Sequence, residues 1–128
     1  LGPVRKNTQV EISRTDTFVL KVSPPVRPSG NIKGSEKLVV VGPKGSVYLK
    51  EGVIIANRHI HLTPEYAKAH GIKDNDRVDV EIDTVKPTKF YDVQVRVRDD
   101  FNIEMHIDTD DANSAGLKNG MRVKILKK

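Results

Sequence analysis

The sequence predicts a mainly β protein with a few short helices. Three observations predict it: short runs in which apolar and polar residues alternate, clusters of Gly and Pro that punctuate those runs, and an internal repeat in the C-terminal half. Alternation with period two is the pattern of half-buried strands, and breakers this closely spaced leave no room for long helices. A chain of 128 residues can bury one or two modest cores, so it fits one ordinary domain or two small β modules.

Residues 8–14 alternate, with Val10 and Ile12 on one face and Gln9, Glu11 and Ser13 on the other; a strand is expected, with Glu11 pointing away from the apolar side. Residues 18–22 read as a second short strand. Residues 23–34 hold Pro24, Pro25, Pro28, Gly30 and Gly34, too many breakers for regular structure, and predict a long loop or a module boundary. Strand-like runs at 38–41 and 46–49 flank Gly42-Pro43-Lys44-Gly45, which predicts a hairpin. That turn lacks the spacing and the following Ser or Thr of a phosphate-binding loop. The apolar run 53–56 leads into Asn57-Arg58-His59-Ile60-His61. Thr63 and Pro64 supply an N-cap and a first-turn proline for a short helix through Ala67 and Ala69, ended by Gly71.

Strands are expected at 77–82, 91–97 and 101–107. The last of these has Phe101, Ile103, Met105 and Ile107 on one face and Glu104 and His106 on the other. A second short helix over 110–115, closed by Gly116, precedes a final strand at 122–126. Residues 61–80 align with 106–125 at a constant offset that matches His61 to His106, Ala67 to Ala112, Gly71 to Gly116, Arg77 to Arg122 and Val78 to Val123; the repeat extends to 59–82 against 104–127. A duplicated strand, helix, turn and strand unit points to a small pseudo-symmetric barrel whose halves pair to remove exposed edges. The element Gly71-Ile72-Lys73-Asp74-Asn75-Asp76-Arg77-Val78 resembles that of double-psi barrels, which bears on fold and not on chemistry.

Without cysteine, a zinc site would have to be built from His and carboxylates. The excess of 22 Lys and Arg over 17 Asp and Glu gives a net charge of +5, which suits anionic partners. The longest apolar run is far too short to span a membrane. The start Leu1-Gly2-Pro3-Val4 reads as the interior of a longer protein.

On a strand, residues i and i+2 share a face, so His59 and His61 project together while Ile60 faces away. His106 is the repeat's equivalent of His61, and pseudo-symmetry can bring it to the pair; three imidazoles suffice for a catalytic zinc with an open position. The same spacing also arises from a strand bearing exposed or hydrogen-bonded imidazoles. His70, at the end of a short helix, suits the helix C-terminus and is not counted as a ligand. Glu11 and Arg5 are, by spacing alone, ordinary surface charges, and no Ser, His and Asp pattern argues for a nucleophilic triad.

Four co-linear segments resemble the propanediol-utilisation phosphotransacylases: Arg5-Lys6-Asn7-Thr8-Gln9-Val10-Glu11-Ile12-Ser13, Val41-Gly42-Pro43-Lys44-Gly45-Ser46-Val47, Asn57-Arg58-His59-Ile60-His61, and Glu104-Met105-His106-Ile107-Asp108-Thr109-Asp110. The resemblance implies two small β-barrels with short capping helices: residues 1–56 as the remainder of one barrel and 57–128 as the second. It implies a two-zinc site, with His59, His61 and His106 on one zinc, Glu11 on the other and Arg5 on phosphate. The implied reaction interconverts a short acyl-coenzyme A (propanoyl-coenzyme A) plus phosphate with the acyl phosphate plus coenzyme A, by zinc-assisted direct attack of phosphate on the thioester.

The family also has an earlier His-x-His strand, which this sequence lacks, so the resemblance covers the C-terminal two-thirds and implies that the missing segment is supplied by a separate chain or belongs to a longer one. A homo-oligomer is expected, in the cytoplasm or in a bacterial microcompartment, with no nucleic acid and no membrane as partner. The competing reading is a non-catalytic basic β-barrel binding a nucleotide or nucleic acid, against which stands an aromatic content of 5%, low for base stacking.

Overall fold

A computed structural model describes residues 5–127, and the chain divides into two compact units, Leu1–Asn57 and Arg58–Lys128. The first unit contains, in chain order, β1 (Val10–Glu11), α1 (Arg14–Leu20), β2 (Val26–Arg27), β3 (Glu36–Gly42) and β4 (Gly45–Ala56). It is organised around β4, twelve residues long. The N-terminal part of β4 pairs antiparallel with β3, closing at Gly42 and Gly45 across Pro43-Lys44, which is the expected hairpin. Gly45 has φ 132°, a conformation side chains rarely adopt, so the turn requires glycine there. The C-terminal part pairs in parallel with β1, Val10 opposite Val53, and with β2, Val26 opposite Ile55. Val53, Ile54 and Ile55 are buried there, whereas Val39, Val41 and Tyr48 near the hairpin tip are exposed.

Two expectations for this unit are corrected. Residues 18–22 do not form a strand: Phe18, Val19 and Leu20 belong to α1. Ser13 Oγ accepts from the Asp16 backbone N–H at 3.2 Å while the Asp16 carboxylate accepts from the Ser13 N–H at 2.8 Å. This reciprocal capping box satisfies two orphan donors at once, and it overrides the weak strand preference of Phe18 and Val19. Lys21, left-handed at φ 53°, ends the helix. The strand expected over 8–14 is correspondingly short, because the chain turns into the cap at Ser13. The Pro-rich stretch 23–34 is mostly irregular, as expected, but contains the two-residue β2.

The second unit contains β5 (His59–Leu62), α2 (Pro64–Ala69), β6 (Arg77–Ile82), β7 (Thr88–Val97), β8 (Glu104–His106), α3 (Thr109–Ser114) and β9 (Lys124–Leu126). These strands form one sheet in the order β8-β5-β7-β6-β9. Ile60, Leu62, Val78, Val80, Ile82, Val93 and Val95 make its core. Burying each such side chain contributes about 1.5–3 kcal/mol.

The duplicated sequence yields duplicated local structure. Thr63 caps α2 through its hydroxyl and Asp108 caps α3 through its carboxylate. Gly71 and Gly116 both have φ 61°, and Ile72 and Leu117 donate back to Ala67 and Ala112 at 2.8 and 2.9 Å. Among the described residues the five strands make one curled, half-barrel sheet with short helices beside it, and no pairing joins β8 to β9. The strand expected over 101–107 is limited to the three residues of β8.

Candidate metal centre

β5 is an interior strand of its sheet, paired in parallel with β7 on one side and antiparallel with the edge strand β8 on the other. Its alternation sends Ile60 and Leu62 into the core and leaves His59 and His61 on the opposite face. The register with β8 sets His59 opposite His106 and His61 opposite Glu104, so one face carries a square of four potential donors. A bidentate ion pair fixes the chain just before β5: Arg58 Nε and Nη2 donate to the two Asp111 oxygens of α3 at 2.8 and 2.7 Å, and the guanidinium also lies 4.4 Å from the centre of the Phe90 ring.

The three imidazole rings are neighbours, though only His61 and His106 bring donor atoms within 4.8 Å of each other and of Glu104. Ring centres are 5.0 Å apart for His59 and His61, 5.0 Å for His59 and His106, and 4.3 Å for His61 and His106. His59 is 4% exposed. His61 Nε2 is buried and has no hydrogen-bond partner. Burial first, and then the neighbouring His106 and His59, push the His61 pKa down to about 4; Arg96 and Arg98 push the same way. The imidazole is therefore neutral at pH 7, with its lone pair available to a metal. Phe101, expected on the apolar face of a strand with Met105, instead stacks on the His61 ring at 3.7 Å, with Arg98 4.9 Å from its own centre. It lies outside β8 and is free to fold over the histidine face.

Glu104 is the site residue that sequence reasoning left out. Donor atoms of His61, Glu104 and His106 all lie within 4.8 Å of one another, and Glu104 Oε1 is 3.2 Å from His106 Nε2. A signal for it was present: in the repeat Glu104 aligns with His59, so His-x-His has Glu-x-His as its counterpart. Imidazole nitrogen and carboxylate oxygen are ordinary zinc donors, and the buried, unpartnered nitrogen of His61 gives such an ion a place to bind. A cavity of about 1080 Å³ is lined by Ile60, Glu104, Met105, Ile107 and Val123 among others, and by none of the three imidazoles.

In the first unit Arg5 and Glu11 are drawn together through Ser29. Arg5 Nη2 donates to Ser29 Oγ at 2.9 Å and Ser29 Oγ donates to Glu11 Oε1 at 2.8 Å. Gln9 also donates to Glu11 Oε1, while its own Oε1 accepts from the Gly30 N–H. The group is exposed, and all four histidines of the chain lie in the second unit. His70 accepts no role at the centre: its Nδ1 is 2.9 Å from the Tyr66 carbonyl oxygen and its ring stacks on Tyr66.

Comparison with known proteins adds to this geometry. Residues 1–118 match the model of the phosphate propanoyltransferase family. The chain belongs to that family. It is 56% identical over 126 residues to the phosphate propanoyltransferase of Lachnoclostridium phytofermentans, 52% identical over 127 residues to that of Thermotoga maritima, and 48% identical over 128 residues to that of Listeria monocytogenes. These alignments cover 98%, 98% and 100% of this chain but 59%, 60% and 60% of the relatives. The chain thus spans about three-fifths of the length of the phosphate propanoyltransferases it matches.

Proposed function

We propose that this chain carries part of the active centre of a phosphate propanoyltransferase, which interconverts propanoyl-coenzyme A plus phosphate with propanoyl phosphate plus coenzyme A. The observation that carries the reading is the clustering of His59, His61 and His106 on one face, with the buried Nε2 of His61 unpartnered, in a chain of this family. His59, His61 and His106 would hold one zinc and Glu11 would contribute to a second. When bound, the metal supplies Lewis-acid polarisation of the thioester carbonyl.

The chain's own residues do the rest. Arg5, tethered through Ser29 beside Glu11, orients phosphate by charge-assisted hydrogen bonds from its guanidinium. A phosphate oxygen attacks the thioester carbonyl carbon; a C–O bond forms, the C–S bond breaks, and coenzyme A leaves as its thiolate. No acylated side chain is needed, and no cysteine is present to carry one. In the same reading residues 1–56 and 57–128 are parts of two small barrels, the second of double-psi type, completed by the segment that the relatives have in addition. That segment is joined in the same polypeptide or supplied as a second chain, in a homo-oligomer of the cytoplasm or of a bacterial microcompartment. Among the described residues no helix is long and apolar enough to cross a membrane.

The test is release of free thiol from propanoyl-coenzyme A by the purified protein, with and without phosphate, beside its zinc content. Phosphate-dependent release that disappears in His61→Ala supports the transferase. Salt-sensitive binding of oligonucleotides by the zinc-free protein, without thiol release, would favour the basic binding module instead.

A further inference from the structure

We propose that Glu104 is a fourth protein donor of the metal centre, joining His59, His61 and His106, and that it is the donor which exchanges for substrate. The proposal rests on the zinc reading above and adds to it a residue and a role. Three observations carry it. First, the strand register puts Glu104 directly opposite His61 and two residues from His106 on the same face, so its carboxylate shares the imidazoles' surface without any backbone change. Second, its Oε1 lies 3.2 Å from His106 Nε2. Two donors on a tetrahedral zinc with bonds of about 2.0–2.1 Å stand roughly 3.3 Å apart, so this spacing is already that of neighbouring ligands.

Third, the charge balance calls for it. Arg96 and Arg98 lie 5.9 and 4.9 Å from the Phe101 ring that stacks on His61, so the neighbourhood is already cationic, and three neutral imidazoles leave a divalent cation fully charged. Glu104 is the carboxylate that converges on His61 and His106, and it offsets that charge. Its position in the repeat, equivalent to His59, makes the centre a pairing of one His-x-His with one Glu-x-His.

Four protein donors close a tetrahedral site, whereas catalysis needs an open position. His59 is almost wholly buried and cannot swing away, while the Glu104 side chain is 52% exposed. Glu104 would thus be the donor at the rim, the one whose displacement would leave the open position that catalysis needs.

The experiment uses the 128-residue chain and its Glu104→Gln variant, which keeps shape and removes charge at a half-exposed position, with far-UV circular dichroism to establish that both fold. Zinc affinity is read by competition with a chromophoric chelator, and the donor set by the visible absorption of the cobalt(II)-loaded proteins. The expected result is zinc affinity at least about tenfold weaker in Glu104→Gln, together with a changed cobalt spectrum. Equal affinity in parent and variant, with His61→Ala losing the metal, would overturn the role of Glu104 and leave the zinc reading intact. Weaker affinity with an unchanged cobalt spectrum would also overturn it, reducing Glu104 to a hydrogen-bond partner of His106. A parent chain that takes up no zinc would remove the metal reading of this face, and this inference with it.

Discussion

His61 sits where its own charge is unwelcome: it is partly buried, stacked on Phe101, and flanked by His59, His106, Arg96 and Arg98. Unfolding releases the imidazole to an ordinary pKa of about 6.5, against about 4 in the folded chain. Between those values the unfolded state binds more protons, so the contribution to stability is complete above pH 6.5 and is lost as pH falls toward 4. Urea midpoints of the zinc-free chain at pH 7, 5.5 and 4.5 should therefore fall, and His61→Gln should flatten that fall; parallel curves for parent and variant would refute the assignment. At this scale the spacing of His59, Ile60 and His61 was legible, because a strand's period of two dictates it. The burial of His61 and the stacking of Phe101 were not, since both depend on the chain joining β8 only at Glu104, which leaves Phe101 outside the strand, and no local pattern encodes that.

The helices show how a short polar signal can outweigh an apolar one. Ser13 and Asp16 start α1, and the run Phe18-Val19-Leu20 that suggested a strand is simply carried along. For α2 and α3 the signals were the expected ones, Thr63-Pro64 at one start and glycine at both ends. Those two glycines permit a controlled comparison. Gly71 and Gly116 share φ 61°, a region that costs an L-residue about 1–2 kcal/mol. A Cβ on Gly71 would meet only the movable tip of Lys127 at 2.9 Å, whereas on Gly116 it would press at 3.3 Å on Thr84 Oγ1, which is tied to the Ala115 carbonyl by a 2.6 Å hydrogen bond. Gly116→Ala should therefore lower the denaturation free energy by about 1–2 kcal/mol or more, and by more than Gly71→Ala. Equal losses in both variants would count against the Thr84 contact.

At the scale of the whole molecule, the mainly β character and the repeat could be read from alternation and from the matched residues between 61–80 and 106–125. The strand order could not, because β8 pairs with β5 and β9 with β6 across long stretches of chain that carry no local turn signal. The division of labour along β4 was equally hidden, since parallel pairing with β1 and β2 leaves no turn signature in the sequence. That strand changes neighbours along its length, having β3 beside it toward the hairpin and β2 beside Ile55 and Ala56, while β1 lies next to Val53 and Ile54. Its backbone is therefore a clock with two rates. The amides of Ile55 and Asn57, held by the carbonyls of Pro25 and Arg27 at 3.0 Å, open only when distant parts of the chain separate, whereas those around Val41 and Val47 are released by fraying of a local hairpin. Hydrogen–deuterium exchange should resolve the two populations within this single strand, slow toward Ala56 and fast toward Gly45; uniform exchange along β4 would mean that it opens as one piece.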